Sequence, residues 1–244
     1  MKRLILHATT LILFCLWATP AWADVAAYLG TAAKAGRPVF VVVTEGEGKL
    51  TDLARKVSAE AAKLANDAGV VELERGNTAN AALVKRLRLE SVPLPLILVI
   101  ASNGVAAGAA VPNAVTAAQL AKMVPSPAKA AFLKAIDEGK PVFVVIAAEV
   151  TSGRRDALGA CDAAQKLLDG KSVTVVVDLA DARESGFREE LKVPATLKAP
   201  LTVVFNAKGL RVATYQAPPA ATELVGASKK TAAESGCCPG GKCK

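Results

Sequence analysis

Gly36-Arg37-Pro38-Val39-Phe40-Val41-Val42-Val43 returns as Gly139-Lys140-Pro141-Val142-Phe143-Val144-Val145-Ile146, with the two glycines 103 positions apart. Each copy is a turn signal followed by β-branched and aromatic residues without a single charge. A strand with one face in water alternates apolar and polar residues. This run does not alternate, so it predicts a strand covered on both faces, as in the middle of a sheet flanked by helices. A period of about one hundred residues is too long for a solenoid unit and points to two tandem copies of one small domain.

The segments between the two runs repeat in kind. In the first copy, helical spacing covers 25–35, and the apolar strand 38–44 leads into a polar loop at 45–48. A helix is predicted over 50–68, with Leu53, Val57, Ala61 and Leu64 spaced for one buried face. A strand over 70–73, a helix over 78–87 and a strand over 94–101 follow. Ser102-Asn103-Gly104 then turns the chain into 105–109 as a hairpin, and a helix over 116–123 closes the copy. The second copy gives helix 127–138, strand 142–147, helix 151–168, strand 173–179, helix 184–191 and strand 201–206. Ala207-Lys208-Gly209 makes its turn into 210–215, before a last helix over 220–233. Pro125-Ser126-Pro127 is the joint, because proline ends a helix and fixes an extended link.

The order α-β-α-β-α-β-β-α, given twice, resembles the thioredoxin fold. The expected class is therefore α/β, with tandem thioredoxin-like domains, each a central mixed sheet flanked by helices. Pro200-Leu201-Thr202-Val203-Val204-Phe205, running to Gly209, resembles the family's proline-strand-hairpin pattern. Pro95-Leu96-Ile97-Leu98-Val99-Ile100, running to Gly104, has the same spacing. The resemblance implies a cis proline facing the active-site loop, with Pro95 and Pro200 as the candidates. Pro93 competes in the first copy, since Leu89-Glu90-Ser91-Val92-Pro93 is also similar to the approach to that proline. The expected divisions are 1–23, 24–125, 126–231 and 232–244.

Residues 1–23 read as a secretory signal peptide: Lys2 and Arg3, an apolar stretch, then Ala21-Trp22-Ala23 as a small-x-small cleavage site. Export to the periplasm or beyond is expected, and no later run is long enough to span a membrane. Loss of this segment takes away His7, the one histidine, and moves the formal net charge from +8 to +6. Histidine general bases, Ser-His-Asp triads and His-ligated metal sites are then excluded. The basic residues, including the knot at Lys85, Arg86 and Arg88, read as solvated helix faces. With few aromatic side chains to stack on bases, nucleic-acid binding is not expected. The expected partner is another exported or periplasmic protein.

In the family, catalysis uses a Cys-x-x-Cys pair at the start of the long helix, where the helix N-terminus lowers the thiol pKa. Thr44-Glu45-Gly46-Glu47-Gly48-Lys49 and Glu149-Val150-Thr151-Ser152-Gly153-Arg154 stand there instead. Both copies look like the redox-inactive domains of disulfide isomerases, which implies a binding scaffold. Gly46-Glu47-Gly48-Lys49 is no phosphate loop, because Val43 and Leu50 stand where that motif needs Gly and Ser or Thr. Cys161, inside the long helix of the second copy, reads as a buried inert thiol, with pairing to a tail cysteine as the alternative.

The remaining signal is Ser235-Gly236-Cys237-Cys238-Pro239-Gly240-Gly241-Lys242-Cys243-Lys244. Pro239-Gly240-Gly241 turns the chain so that Cys243 comes back beside Cys237 and Cys238, and Lys242 and Lys244 favour thiolates. Three thiolates suit a soft ion such as copper or zinc. The same cysteines could instead form a small-loop, easily exchanged disulfide, or be an inert end. The reading is an exported, non-catalytic scaffold whose tail cysteines bind a soft metal. Thiol-disulfide exchange by the tail, and a protein-binding module with an inert tail, are the alternatives.

Overall fold

The computed structural model describes residues 24–66, 68–194 and 197–231. The first copy runs α1 (Val25–Lys34), β1 (Val39–Thr44), α2 (Lys49–Leu64), β2 (Gly69–Glu74), α3 (Ala81–Arg86), β3 (Leu96–Ile100), β4 (Ala106–Ala110) and α4 (Ala117–Lys122). The second runs α5 (Pro127–Asp137), β5 (Val142–Ala147), α6 (Arg154–Leu167), β6 (Val173–Asp178), α7 (Ser185–Glu190), β7 (Leu201–Phe205), β8 (Arg211–Tyr215) and α8 (Ala221–Ser228). Short 3-10 turns lead into α3 and α7.

Each copy forms its own four-stranded sheet, in the orders β2-β1-β3-β4 and β6-β5-β7-β8. β1 runs parallel to β2 and antiparallel to β3, and β3 antiparallel to β4. The second sheet repeats these directions. The sequence repeat supplies the second strand from one edge in both sheets, and all six residues of β1 and of β5 are buried.

Alternation along these strands sorts the core into two layers. Val39, Val41 and Val43 face a cluster with Val25 and Leu29 of α1 and Leu83 of α3. Phe40 and Val42 face the other way, onto Ala54, Val57 and Ala61 of α2 and Leu120 of α4. Val142, Val144 and Ile146 repeat the first layer, and Phe143 and Val145 the second. Side chains of this size contribute about 1.5–3 kcal/mol each when fully buried, so the repeated strand is where each sheet gains most.

The long helix keeps Val57 and Ala61 on its buried face as the spacing predicts, with Leu53 partly buried beside them, and turns Leu64 outward. The buried stripe of α2 is Thr51, Ala54, Val57, Ser58, Ala61 and Ala62, while Leu64 is 62% exposed. Small residues let the helix backbone approach Phe40 and Val42, which displaces the larger leucines toward the margin. α6 starts three residues later than the spacing predicts, because Gly153 is left-handed (φ 82) and forms its N-cap.

The joint is short. Ser126 caps α5 by accepting from the Lys129 N–H, and Pro127 opens the helix. Ala130 of α5 packs with Ala101 and Val105 of the first copy, and Asn103 Nδ2 donates to the Ala130 carbonyl at 2.7 Å.

Candidate functional site

The resemblance set out above places the candidate site where the repeated strand ends and the long helix begins. In the first copy that loop, residues 45–48, faces Leu94 and Pro95 across a groove of about 440 Å³. The Leu94–Pro95 peptide bond is cis, the one cis bond among the described residues. Pro93 is exposed and the bond before it is trans.

The loop is held from both sides by arginines that are distant in sequence. Arg75 pairs with Glu45 and also donates to the Leu89 and Val92 carbonyls, the latter at 2.8 Å. It thereby ties the loop to the segment leading to Pro95. Arg55 of α2 bonds Glu47 through both terminal nitrogens (2.6 and 2.8 Å) and Glu72 of β2 at 2.8 Å. Hydrogen bonds from Arg75 and Arg55 hold the Glu45 and Glu47 carboxyls below the usual carboxylate range. The Thr51 hydroxyl donates to the Gly46 carbonyl at 3.0 Å. Leu50 is left 45% exposed at the rim.

The second copy closes the corresponding space. A Cβ added at Gly153 would lie 3.5 Å from Pro218 Cγ and 3.6 Å from Pro200 Cδ, so both proline rings sit over the start of α6. Pro200 is buried. The bond before it is trans, which corrects the expectation of a cis bond there. Sequence spacing cannot tell the two prolines apart, since each stands nine positions before its hairpin glycine. Val150, on the same loop, is 93% exposed.

No thiol lines either loop. Cys161 is fully buried, packed with Phe143, Val145, Ala157 and Leu224. Burial pushes its pKa up to about 12, against a smaller lowering by the Thr174 hydroxyl. A neutral thiol without access is neither a nucleophile nor a ligand. Cys237, Cys238 and Cys243 lie outside the described residues, as does the 1–23 segment. Among the described residues, no group of three or more His, Cys, Asp or Glu is placed to hold a metal ion, and no helix is long and apolar enough to cross a membrane.

Two four-stranded mixed sheets of this order and direction, flanked by helices and joined in tandem, are two thioredoxin-like domains. No family model and no curated protein matches the chain. Among solved structures it is similar to the first two thioredoxin domains of Saccharomyces cerevisiae Eps1p, at 12% identity over 84% of this chain and 96% of that one, TM-score 0.30. Human ERp44 in its zinc-bound form is similar at 11% identity over 75% of this chain and 49% of that one, TM-score 0.33. The NTD_N/C domain of alkylhydroperoxide reductase AhpF from Enterococcus faecalis follows at 13% identity over 83% and 98%, TM-score 0.27. Likenesses at this level say nothing of activity, and the fold stands on the strand order.

Proposed function

We propose that the protein is an exported, non-catalytic thioredoxin-like scaffold that binds a polypeptide in the groove beside Pro95 and holds a soft metal ion on Cys237, Cys238 and Cys243. The observation that carries the scaffold reading is the pairing of an open groove at Pro95 with a helix start that offers Gly46, Glu47, Gly48 and Lys49 but no thiol. A groove lined without a thiol has nothing to run disulfide exchange with. The metal reading rests on the sequence of the tail, three cysteines within seven residues beside two lysines.

The test compares the protein over residues 24–244 with a truncation ending at Ser235, after purification from the periplasm. Copper or zinc that copurifies with the longer form and is lost from the shorter one supports the metal reading. Absence of metal together with insulin reduction that disappears on truncation would replace it by thiol exchange through the tail. With neither, the tail is inert and the scaffold reading stands on the groove alone. A cytoplasmic protein retaining residues 1–23 would overturn export.

A further inference from the structure

The second copy carries a groove on the other flank of its proline segment, with a volume of about 420 Å³. Lys192, Lys198 and Arg211 line it together with Thr214 and Gln216, and no carboxylate does. Leu197 and Leu201 form its apolar floor. Among the described residues, the three cations meet here without a counter-charge. Lys192 and Lys198 are exposed and make no ion pair or side-chain hydrogen bond among the described residues. Arg211 is oriented by its bond to the Leu191 carbonyl at 2.9 Å, and Nε and NH2 both donate to the Thr214 hydroxyl oxygen. Each terminal nitrogen of Arg211 keeps one N–H for another acceptor. Thr214 accepts both of those bonds, which leaves its hydroxyl proton to donate.

The first copy serves as an internal control for what the fold itself requires. β4 and β8 pair in the same register with their neighbours, both with a bulge after the third pair. Where β8 sets Arg211 opposite Phe205 and Thr214 opposite Val203, β4 sets Ala106 opposite Ile100 and Ala109 opposite Leu98. Two alanines suffice for the strand pairing itself, and the polar pair on β8 adds the tie to the Leu191 carbonyl and leaves N–H groups facing the groove. Among the described residues β8 is also an edge strand, with β7 on one side and no strand on the other, and an edge strand beside a groove suits a chain in extended form.

We propose that this groove binds an acidic peptide segment in extended conformation. Its carboxylates pair with Lys192, Lys198 and Arg211, and an apolar side chain between them rests on Leu197 and Leu201. Charge-assisted bonds of this kind are the stronger class, and Arg offers the planar fork that fits a carboxylate. The site shares no lining residue with the Pro95 groove.

The experiment titrates the full chain with a fluorescein-labelled peptide of alternating Glu and Leu, and with its counterpart carrying Gln in place of Glu, up to roughly 1 mM. The acidic peptide is expected to bind and the Gln peptide not, with affinity falling as salt rises. The Lys192→Gln/Lys198→Gln double variant, whose side chains hold nothing together, is expected to unfold at the wild-type temperature and to bind about tenfold more weakly or worse. Leu50→Asp in the first groove should leave binding unchanged. The proposal is overturned if the acidic peptide does not bind, if the Gln peptide binds equally, or if the double variant binds as wild type does. Loss of binding in Leu50→Asp would move the peptide to the Pro95 groove. Displacement by inorganic phosphate at concentrations below those of the peptide would make the site one for a small oxyanion instead.

Discussion

Cys161 shows how one position can look like chemistry and be packing. It stands on α6 where Ser58 stands on α2, each fully buried against its own sheet and 103 positions apart. The thiol is thus a small core side chain whose neighbour in the other copy is a hydroxyl. Its pKa is pushed up to about 12 by burial, while in the unfolded chain it titrates near ~8.5. Above that value the unfolded chain sheds a proton that the native state keeps. Native binding of the extra proton makes stability fall as pH rises, by about 1.4 kcal/mol per unit between the two values. Cys161→Ala should cost about 1 kcal/mol at neutral pH through the lost contacts. That deficit should shrink and then reverse between pH ~8.5 and 10.5, as urea titrations of wild type and variant side by side would read out. Curves that stay parallel would place the thiol in water. The burial was legible in the sequence from the helical spacing around Cys161. The role of Arg75 was not, because Glu45 and Val92 reach it across 30 and 17 positions, beyond any local periodicity.

Among the elements, α5 depends most on a single distant side chain. Glu184, at the start of α7, is 3% exposed. It accepts from the Ser126 hydroxyl and, at 3.0 Å, from the Ala128 N–H. A carboxylate at a helix N-terminus satisfies donors that the helix cannot and is favoured by the aligned peptide dipoles. Glu184→Ala leaves a buried N–H unpaired and should cost about 1–3 kcal/mol. Glu184→Gln keeps an acceptor for Ala128 and should cost less, a ranking that chemical denaturation would establish. Equal losses for both would show that Glu184 acts through packing. By contrast Arg55 with Glu47 and Asp52 lies at the surface, where solvent screens such pairs, and their value is in shaping the loop. Strands and helices were readable because their periods were clean. On α2 the expected face held at Val57 and Ala61, with Leu53 partly buried beside them, and failed at Leu64, because Ala54, Ser58 and Ala62 share the close contact. The groove on β8 was invisible in sequence, since Lys192 and Lys198 lie on the connection from α7 to β7 and Arg211 on the next strand but one, β8.

At the scale of the whole molecule, the two domains meet through α5, a helix that serves both. Ala128 and Ala135 belong to the core of its own sheet, while Ala130, with Leu133 beside it, covers Ala101 and Val105 of the first. The face is small and apolar, with one polar tie from Asn103 to the Ala130 carbonyl. Interfaces of this kind between domains ordinarily allow relative motion unless they are large and hydrophobic. Here the short joint at residues 125–127 supplements the face, because Ser126 and Lys129 are themselves held by Glu184 and Glu190 of the second domain. Ala130→Glu would place an unpaired charge against that face, at a cost of several kcal/mol that neither domain core has to bear. The expected result is an unchanged far-UV circular dichroism spectrum, a larger radius of gyration by small-angle scattering, and faster tryptic cleavage at Lys122 and Lys129. Asn103→Ala, losing about 1 kcal/mol, should shift the same readouts less. If Ala130→Glu scatters as wild type does and resists trypsin equally, the joint alone fixes the domains and the apolar face is incidental.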